Sequence, residues 1–284
     1  MSVRALVVGG TNGIGYAMAC RVAAQAGTSA VIISGRTKPK NLPHSNMEFR
    51  PLDASSMRQI KQYTDAFKAA QESKLDLLIM TQGIMTIAGR TETPEGIDRK
   101  MALHHYGKQL LIRELLPVLK DDAKVILVLD GNLGNPSKLI WDDLDLKTHY
   151  SLAKAADHCI TMTDGMIQYH AAQQQKQGTG SRQFFHVFPG VVNTNLATEL
   201  PWYLRPVLRV LGKLVAVSPD TCAEYLLNGV PECTASSQKE GRYWSNMNSK
   251  GRLIADKAIW TEDQMDKVAD HTWNLVDKAI QTPS

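Results

Sequence analysis

The chain has 284 residues, 43% hydrophobic and 21% charged, with a formal net charge of +4. That balance reads as an ordinary soluble globular protein, and with no Lys/Arg block it excludes a nucleic-acid binder. Cys20, Cys159, Cys222 and Cys233 are scattered with no C-x-x-C pair, which fits a reduced, cytoplasmic setting better than a disulfide framework or a zinc site, and no metal is expected.

The first apolar run, Ala5 to Val8, has the length and branching of a buried strand. It is too short for a signal peptide, and no apolar run anywhere approaches a membrane span, so no integral membrane segment is expected. The run stops at Gly9-Gly10, and three glycines follow in the order Gly9, Gly13, Gly15. A helical pattern begins at once, with Ile14, Met18, Val22 and Ala26 at four-residue steps. Strand, glycine turn and helix in one unit can cradle a dinucleotide. Glycine lets the backbone approach a pyrophosphate, and the helix N-terminus supplies free N–H groups and partial positive charge. The same spacing also suits a glycine-rich turn in another α/β protein, so context must decide.

Ala30 to Ser34 reads as a second strand. At this point an NAD enzyme would offer an acidic residue to the ribose 2′-hydroxyl. Here the strand runs into Ser34-Gly35-Arg36-Thr37-Lys38. Arg36 can stack on adenine and pair with a 2′-phosphate, and Lys38 adds charge, so the segment reads as selecting NADP(H). The competing reading is two solvated loop cations. Met47 to Arg50 is a short strand, Ser55 to Ser73 is helical, and Leu75 to Met80 is an apolar strand. Pro94 to Leu119 is largely helical, and Val125 to Leu129 is a fifth strand. A long polar loop, Asp130 to Lys147, precedes a helix over Thr148 to Gln177. Gln183 to Phe188 is a strand ending at Pro189-Gly190, and Arg242 to Trp244 is an edge strand. Thr261-Glu262-Asp263-Gln264 is a capping box opening the last helix. Alternating strands and helices predict an α/β fold, a parallel sheet covered on both faces. No repeat or linker divides residues 1–284, which predicts a single domain.

Tyr150 and Lys154 are four apart on the predicted helix and would share a face. A phenol normally titrates near ~10, and a neighbouring ammonium favours the phenolate, making the hydroxyl usable in acid–base chemistry near neutrality. Most isolated Y-x-x-x-K pairs are surface decoration, but this one follows the fifth strand of a chain that opens with a nucleotide turn.

The chain resembles the short-chain dehydrogenase/reductase family from roughly Val3 to Val230. Four segments carry the resemblance: Gly9-Gly10-Thr11-Asn12-Gly13-Ile14-Gly15, Pro51-Leu52-Asp53, Tyr150-Ser151-Leu152-Ala153-Lys154, and Pro189-Gly190-Val191-Val192-Asn193-Thr194. The resemblance implies a Rossmann-type doubly wound parallel sheet, with the first segment cradling the cofactor pyrophosphate and Asp53 at the adenine. It implies Tyr150 as general acid for carbonyl reduction and Lys154 on the nicotinamide ribose. Pro189, Gly190, Val192 and Thr194 would line the nicotinamide. The long loop ending in Trp141-Asp142-Asp143-Leu144 looks most like the fungal and retinol-dehydrogenase-like branches. A homodimer or homotetramer would suit such a family.

Three departures from the family pattern bear on the chemistry. Where the family has Asn-Asn-Ala-Gly, this chain has Met80-Thr81-Gln82-Gly83, keeping only Gly83. Where it has a proton-relay asparagine, this chain has His104, which can donate from one nitrogen and accept at the other or can be an ordinary packed histidine. The family's carbonyl-polarising serine ends strand five. Here that end is Leu127-Val128-Leu129-Asp130-Gly131. Ser137, 13 residues before Tyr150 (150 − 137), matches the usual separation but lies in a Gly-Asn-Pro loop. Counting from the strand favours Asp130 or Gly131 instead.

Residues 195–217 would form the variable substrate lid. Leu204, Val207, Leu208, Leu211 and Leu214 share one helical face, and Arg205, Arg209 and Lys213 another. An apolar lid implies a hydrophobic small-molecule substrate, such as a terpenoid, polyketide or other secondary metabolite. The stripe would equally serve core packing, a membrane surface or a partner subunit. The reading is an NADPH-dependent reductase of a hydrophobic ketone or aldehyde, or the reverse alcohol dehydrogenase. Two alternatives stay open: a cofactor-binding protein of this fold catalysing a non-redox isomerisation or cyclisation, and a non-catalytic nucleotide-sensing or scaffold protein.

Overall fold

The computed structural model describes residues 3–194 and 216–282. The predicted lid over 195–217 therefore lies outside the described residues except at its end. Among the described residues seven strands form one sheet: β1 (Val3–Val8), β2 (Thr28–Gly35), β3 (Met47–Pro51), β4 (Leu75–Met80), β5 (Leu119–Val128), β6 (Gln183–Val187) and β7 (Trp244–Met247). Their order is β3-β2-β1-β4-β5-β6-β7, and every pairing is parallel. The helices are α1 (Gly13–Ala23), α2 (Met57–Ala69), α3 (Arg99–Met101), α4 (Gly107–Leu115), α5 (Leu152–Gln177), α6 (Pro219–Lys239) and α7 (Glu262–Gln281).

Alternation along the strands divides the core into two layers. Leu6, Val8, Leu78, Met80, Val125 and Leu127 face one way and pack with Ile60, Leu110, Leu111, Met162 and Val276 of α2, α4, α5 and α7. Ala5, Val7, Ile33, Ile79, Ile126 and Val187 face the other way, against Met18, Val22, Cys222 and Leu226 of α1 and α6. Both faces are thus buried, which is why the strands read as near-continuous apolar runs. This is the doubly wound α/β sheet expected from the sequence. Its strand order reverses between β1 and β4, the point where such sheets open a crevice beyond their C-terminal ends.

Expected boundaries need correction, and the edge strand read over Arg242 to Trp244 runs Trp244–Met247. The helix placed over Thr148 to Gln177 starts at Leu152, with Ser151 as N-cap accepting from Lys154 N–H. Tyr150 therefore precedes the helix and does not share a helical face with Lys154. The helix expected from Pro94 begins only at Arg99, because Asp98 caps it through Lys100 and Met101 N–H. It then widens into a π-helical turn, Ala102–Tyr106, before α4. Strand β5 starts at Leu119 rather than Val125, its first half disguised by Lys120, Asp121 and Asp122. Helix α6 was not anticipated, although Ser218 caps it and Pro219 starts it. Gly229 and Pro231 inside it are poor helix formers, and at Gly229 a Cβ would strike the backbone of Gly251.

Candidate active site

The chain leaves β1 at Gly9, whose φ of 80° lies in the left-handed region and whose N–H donates to Ser34 O at 2.8 Å. A Cβ on Gly9 would come within 2.6 Å of Gln82 N, so no larger residue fits between β1 and the β4 turn. Asn12 caps α1, its Oδ1 accepting from Gly13 N–H at 2.7 Å. Ile14 and Gly15 of the first turn line the cleft, where helix N-terminal N–H groups suit an anion. Thr194 lies over this turn, its methyl 3.1 Å from where a Gly13 Cβ would be.

A cleft of about 480 Å³ opens here, lined by Gly9, Thr11, Asn12, Gly13, Ile14 and Gly15 of the turn. Arg36, Asp53, Gly83, His104, Pro189 and Thr194 complete the predicted part of its wall. Arg36 is exposed at the rim beside Gly35 and makes no ion pair among the described residues. Asp53 Oδ1 accepts from Ser55 N–H at 3.0 Å and from Ser55 Oγ at 2.6 Å. Gln82 is buried in the wall with both amide atoms unpartnered. A buried amide without a partner is costly, so this one calls for a polar ligand. Glycines that admit backbone, a capped helix N-terminus, a rim cation and an orphaned amide together fit a dinucleotide. Leu52, Ser55, Gln82, Ile84, Arg99, Leu103 and Leu129 also line the cleft. The sequence had not pointed to them as binding residues, and Arg99, at the start of a three-residue helix, carries no local signal that it would.

The lost Asn-Asn-Ala-Gly bracing is replaced in part. Thr81 N–H donates to Val8 O at 2.8 Å and Thr81 Oγ1 to Gly9 O at 3.1 Å, tying β4 to the glycine turn. His104, on the π-turn, accepts from Ile84 N–H at Nε2, at 2.9 Å. That bond leaves the proton on Nδ1. Burial, with Lys108 adding to it, lowers the imidazole to about 4, so it is neutral near pH 7.

Not every predicted residue joins the cleft wall. Lys38, Gly190, Val192, Ser137, Tyr150 and Lys154 are absent from it. Ser137 is exposed in a 3₁₀ turn, Pro136–Lys138, and its hydroxyl donates to Asn135 Oδ1 at 2.9 Å. Asp130 occupies the position beyond β5, and its Oδ1 accepts from its own loop, Asn132 N–H at 3.1 Å and Leu133 N–H at 3.4 Å. Lys154 is exposed. Tyr150 is half-buried with an unpartnered hydroxyl, and Lys100 Nζ lies 5.4 Å from its ring centroid. Burial raises the phenol, and the Lys100 ammonium opposes that rise. Lys100 belongs to α3, which leads directly into the π-turn that carries Leu103 and His104 to the cleft.

Residues 4–201 match the short chain dehydrogenase family. An oxidoreductase of Emericella nidulans is 34% identical over 70% of this chain and 61% of its own length, so this chain spans less than two thirds of that relative. A polyprenol dehydrogenase of Homo sapiens is 30% identical over 76% of this chain and 68% of its own. The crystal structure of an NADPH-bound carbonyl reductase from chicken fatty liver, 18% identical, superposes with a TM-score of 0.60 over 90% of this chain and 100% of that one. With the motif order, the switch-point cleft and the match over residues 4–201, the chain belongs to the short-chain dehydrogenase/reductase family.

Proposed function

We propose that the protein uses NADPH to reduce a carbonyl of a hydrophobic small molecule, or runs the reverse alcohol oxidation. The observation that carries this reading is the switch-point cleft with Arg36 at its rim, next to the capped glycine turn. A guanidinium with no acidic partner suits a 2′-phosphate, where an acidic side chain would select the unphosphorylated ribose. The N–H groups of the α1 turn hold the pyrophosphate, Asp53 lies at the adenine end, and Thr194 and Pro189 close the far wall. When bound, the reduced nicotinamide supplies a hydride to the carbonyl carbon. Tyr150, kept protonated by burial, gives the oxygen its proton, with Lys100, 5.4 Å from its ring centroid, and Lys154, four residues on, as neighbouring cations. A polyprenol dehydrogenase among the relatives supports a hydrophobic substrate, and a fungal secondary metabolite fits the same chemistry.

One observation keeps a second reading in view. The end of β5 presents Asp130, an acceptor turned to its own loop, in place of a side-chain donor. A protein that binds the cofactor but catalyses a non-redox isomerisation or cyclisation, or only senses the nucleotide, would not need that donor. The deciding experiment follows NADPH consumption with a broad panel of apolar ketones and aldehydes, and NADP reduction with the matching alcohols. Turnover on any of them supports the reductase. Tight NADPH binding with no turnover in either direction favours the second reading.

A further inference from the structure

We propose that a buried cluster of Asp164, His186, Asn246 and Lys257 is a clamp that fixes the loop after β5 and, through it, the Leu129 edge of the cleft. The proposal rests on the reductase reading for its chemistry, but the clamp itself stands on geometry. Asp164, on α5, accepts from His186 Nδ1 at 2.5 Å and from Asn246 Nδ2 at 2.7 Å through Oδ1. Its Oδ2 pairs with Lys257 Nζ at 2.6 Å. The Asp164, His186 and Lys257 side chains are 2%, 0% and 4% exposed.

Every partner of Asp164 passes a second bond to one short stretch of loop. His186 Nε2 accepts from Asp130 N–H at 3.3 Å, which sets the proton on Nδ1, facing Asp164. Asn246 Nδ2 also donates to Gly131 O at 3.1 Å, and Lys257 Nζ donates to Leu133 O. Thr161, on α5, accepts from Asn135 N–H at 3.3 Å. Two glycines let the loop sit this close. A Cβ on Gly131 would overlap the His186 carbonyl, and one on Gly134, whose φ is 106°, would overlap the Asp164 carboxylate. The residue before the loop, Leu129, lines the cleft and is held by its N–H to Val187 O at 2.9 Å.

Stability alone does not account for such a cluster. Burying a carboxylate and an ammonium carries a desolvation penalty that apolar side chains of equal volume avoid, and ionic clusters are retained in some proteins because they specify one arrangement. Here the arrangement specified is the path from Leu129 to Asn135. That is the segment from which the family's serine is missing, and where the loop's own carboxylate is folded back on Asn132 and Leu133 N–H. With no serine at this point and the Asp130 carboxylate turned back on its own loop, the fixed path of the loop positions the substrate by shape through Leu129. Asp164, His186, Asn246 and Lys257 are positioning residues in this account and touch no reacting atom.

The test uses the NADPH-bound full chain and two variants, Lys257→Met and the charge-balanced Asp164→Asn/Lys257→Met. The single variant leaves a buried carboxylate unpaired and is expected to melt lower. The double variant removes both charges and is expected to regain most of that loss. In both, amide exchange over residues 130–135 should quicken about tenfold while β1 and β4 stay protected. For a ketone the wild type reduces, KM should rise about tenfold, with kcat and the NADPH dissociation constant within about twofold. A double variant that recovers both melting temperature and ketone KM would make the cluster merely structural and overturn the proposal. Unchanged loop exchange in both variants would overturn it as well. If the wild type reduces nothing in the panel, the reductase reading falls, and the exchange result alone decides whether the clamp exists.

Discussion

Arg36→Glu is the sharpest perturbation of the cofactor assignment. Arg36 stands at the cleft rim one residue beyond Gly35, with no ion pair among the described residues to compete for it. A charge-assisted bond to a 2′-phosphate is worth about 1.5–3 kcal/mol. Arg36 is exposed, so solvent screening pulls the figure toward the lower end. At about 1.5 kcal/mol the loss alone weakens NADPH roughly tenfold. The glutamate also repels the phosphate, adding about 1 kcal/mol at a few ångströms in a water-like dielectric. The variant should therefore bind NADPH some ~50–100-fold more weakly than wild type, with NADH affinity unchanged or improved. Titration calorimetry with each cofactor reads this directly. Repeating it at high salt should shrink the wild-type preference, because the screening length falls to about 3 Å at 1 M and the pair is exposed. Equal wild-type dissociation constants for NADPH and NADH, or an Arg36→Glu variant with wild-type preference, would refute the argument.

Three further outcomes follow from the site and its surroundings. Tyr150→Phe should cut turnover by about 10²–10⁴-fold and leave NADPH affinity intact, and a variant retaining more than about a tenth of the rate shows that Tyr150 is not the acid. Ser137→Ala should leave kcat and KM unchanged, because its hydroxyl is exposed and bound to Asn135; a hundredfold loss, on the scale of a missing oxyanion donor, would place it in the site after all. Burial lowers His104 to about 4 and His105 and His170 to about 3. The unfolded chain takes up these protons first, near ~6.5, so their contribution to stability is complete above that pH and is lost as pH falls toward 4 and below. Melting temperatures should drop across that window, and a flat profile from neutrality down to about pH 4 contradicts the buried neutral imidazoles.

The sequence alone carried the architecture, because the relevant signals are local. A four-residue apolar run ending in glycines, apolar runs recurring between helical patterns, and a Thr261–Gln264 capping box each state their structure within a few residues. That the glycine turn, Arg36, Asp53 and Pro189 line one cleft was legible for the same reason: each follows a strand end that the pattern locates. What the tertiary structure decided are relations between segments far apart in the chain. No local pattern shows that His104 reaches Ile84 N–H, that Arg99 and Gln82 share one wall, or that Lys100 faces Tyr150. The four-residue spacing of Tyr150 and Lys154 was visible, but Ser151 was free to cap the helix and leave Tyr150 outside it. The Asp164 cluster is the clearest case. Its members come from α5, β6, β7 and the segment before α7, and their residue types are ordinary on each. Only the parallel order of β5, β6 and β7 brings them under one loop, where burial makes their charges consequential.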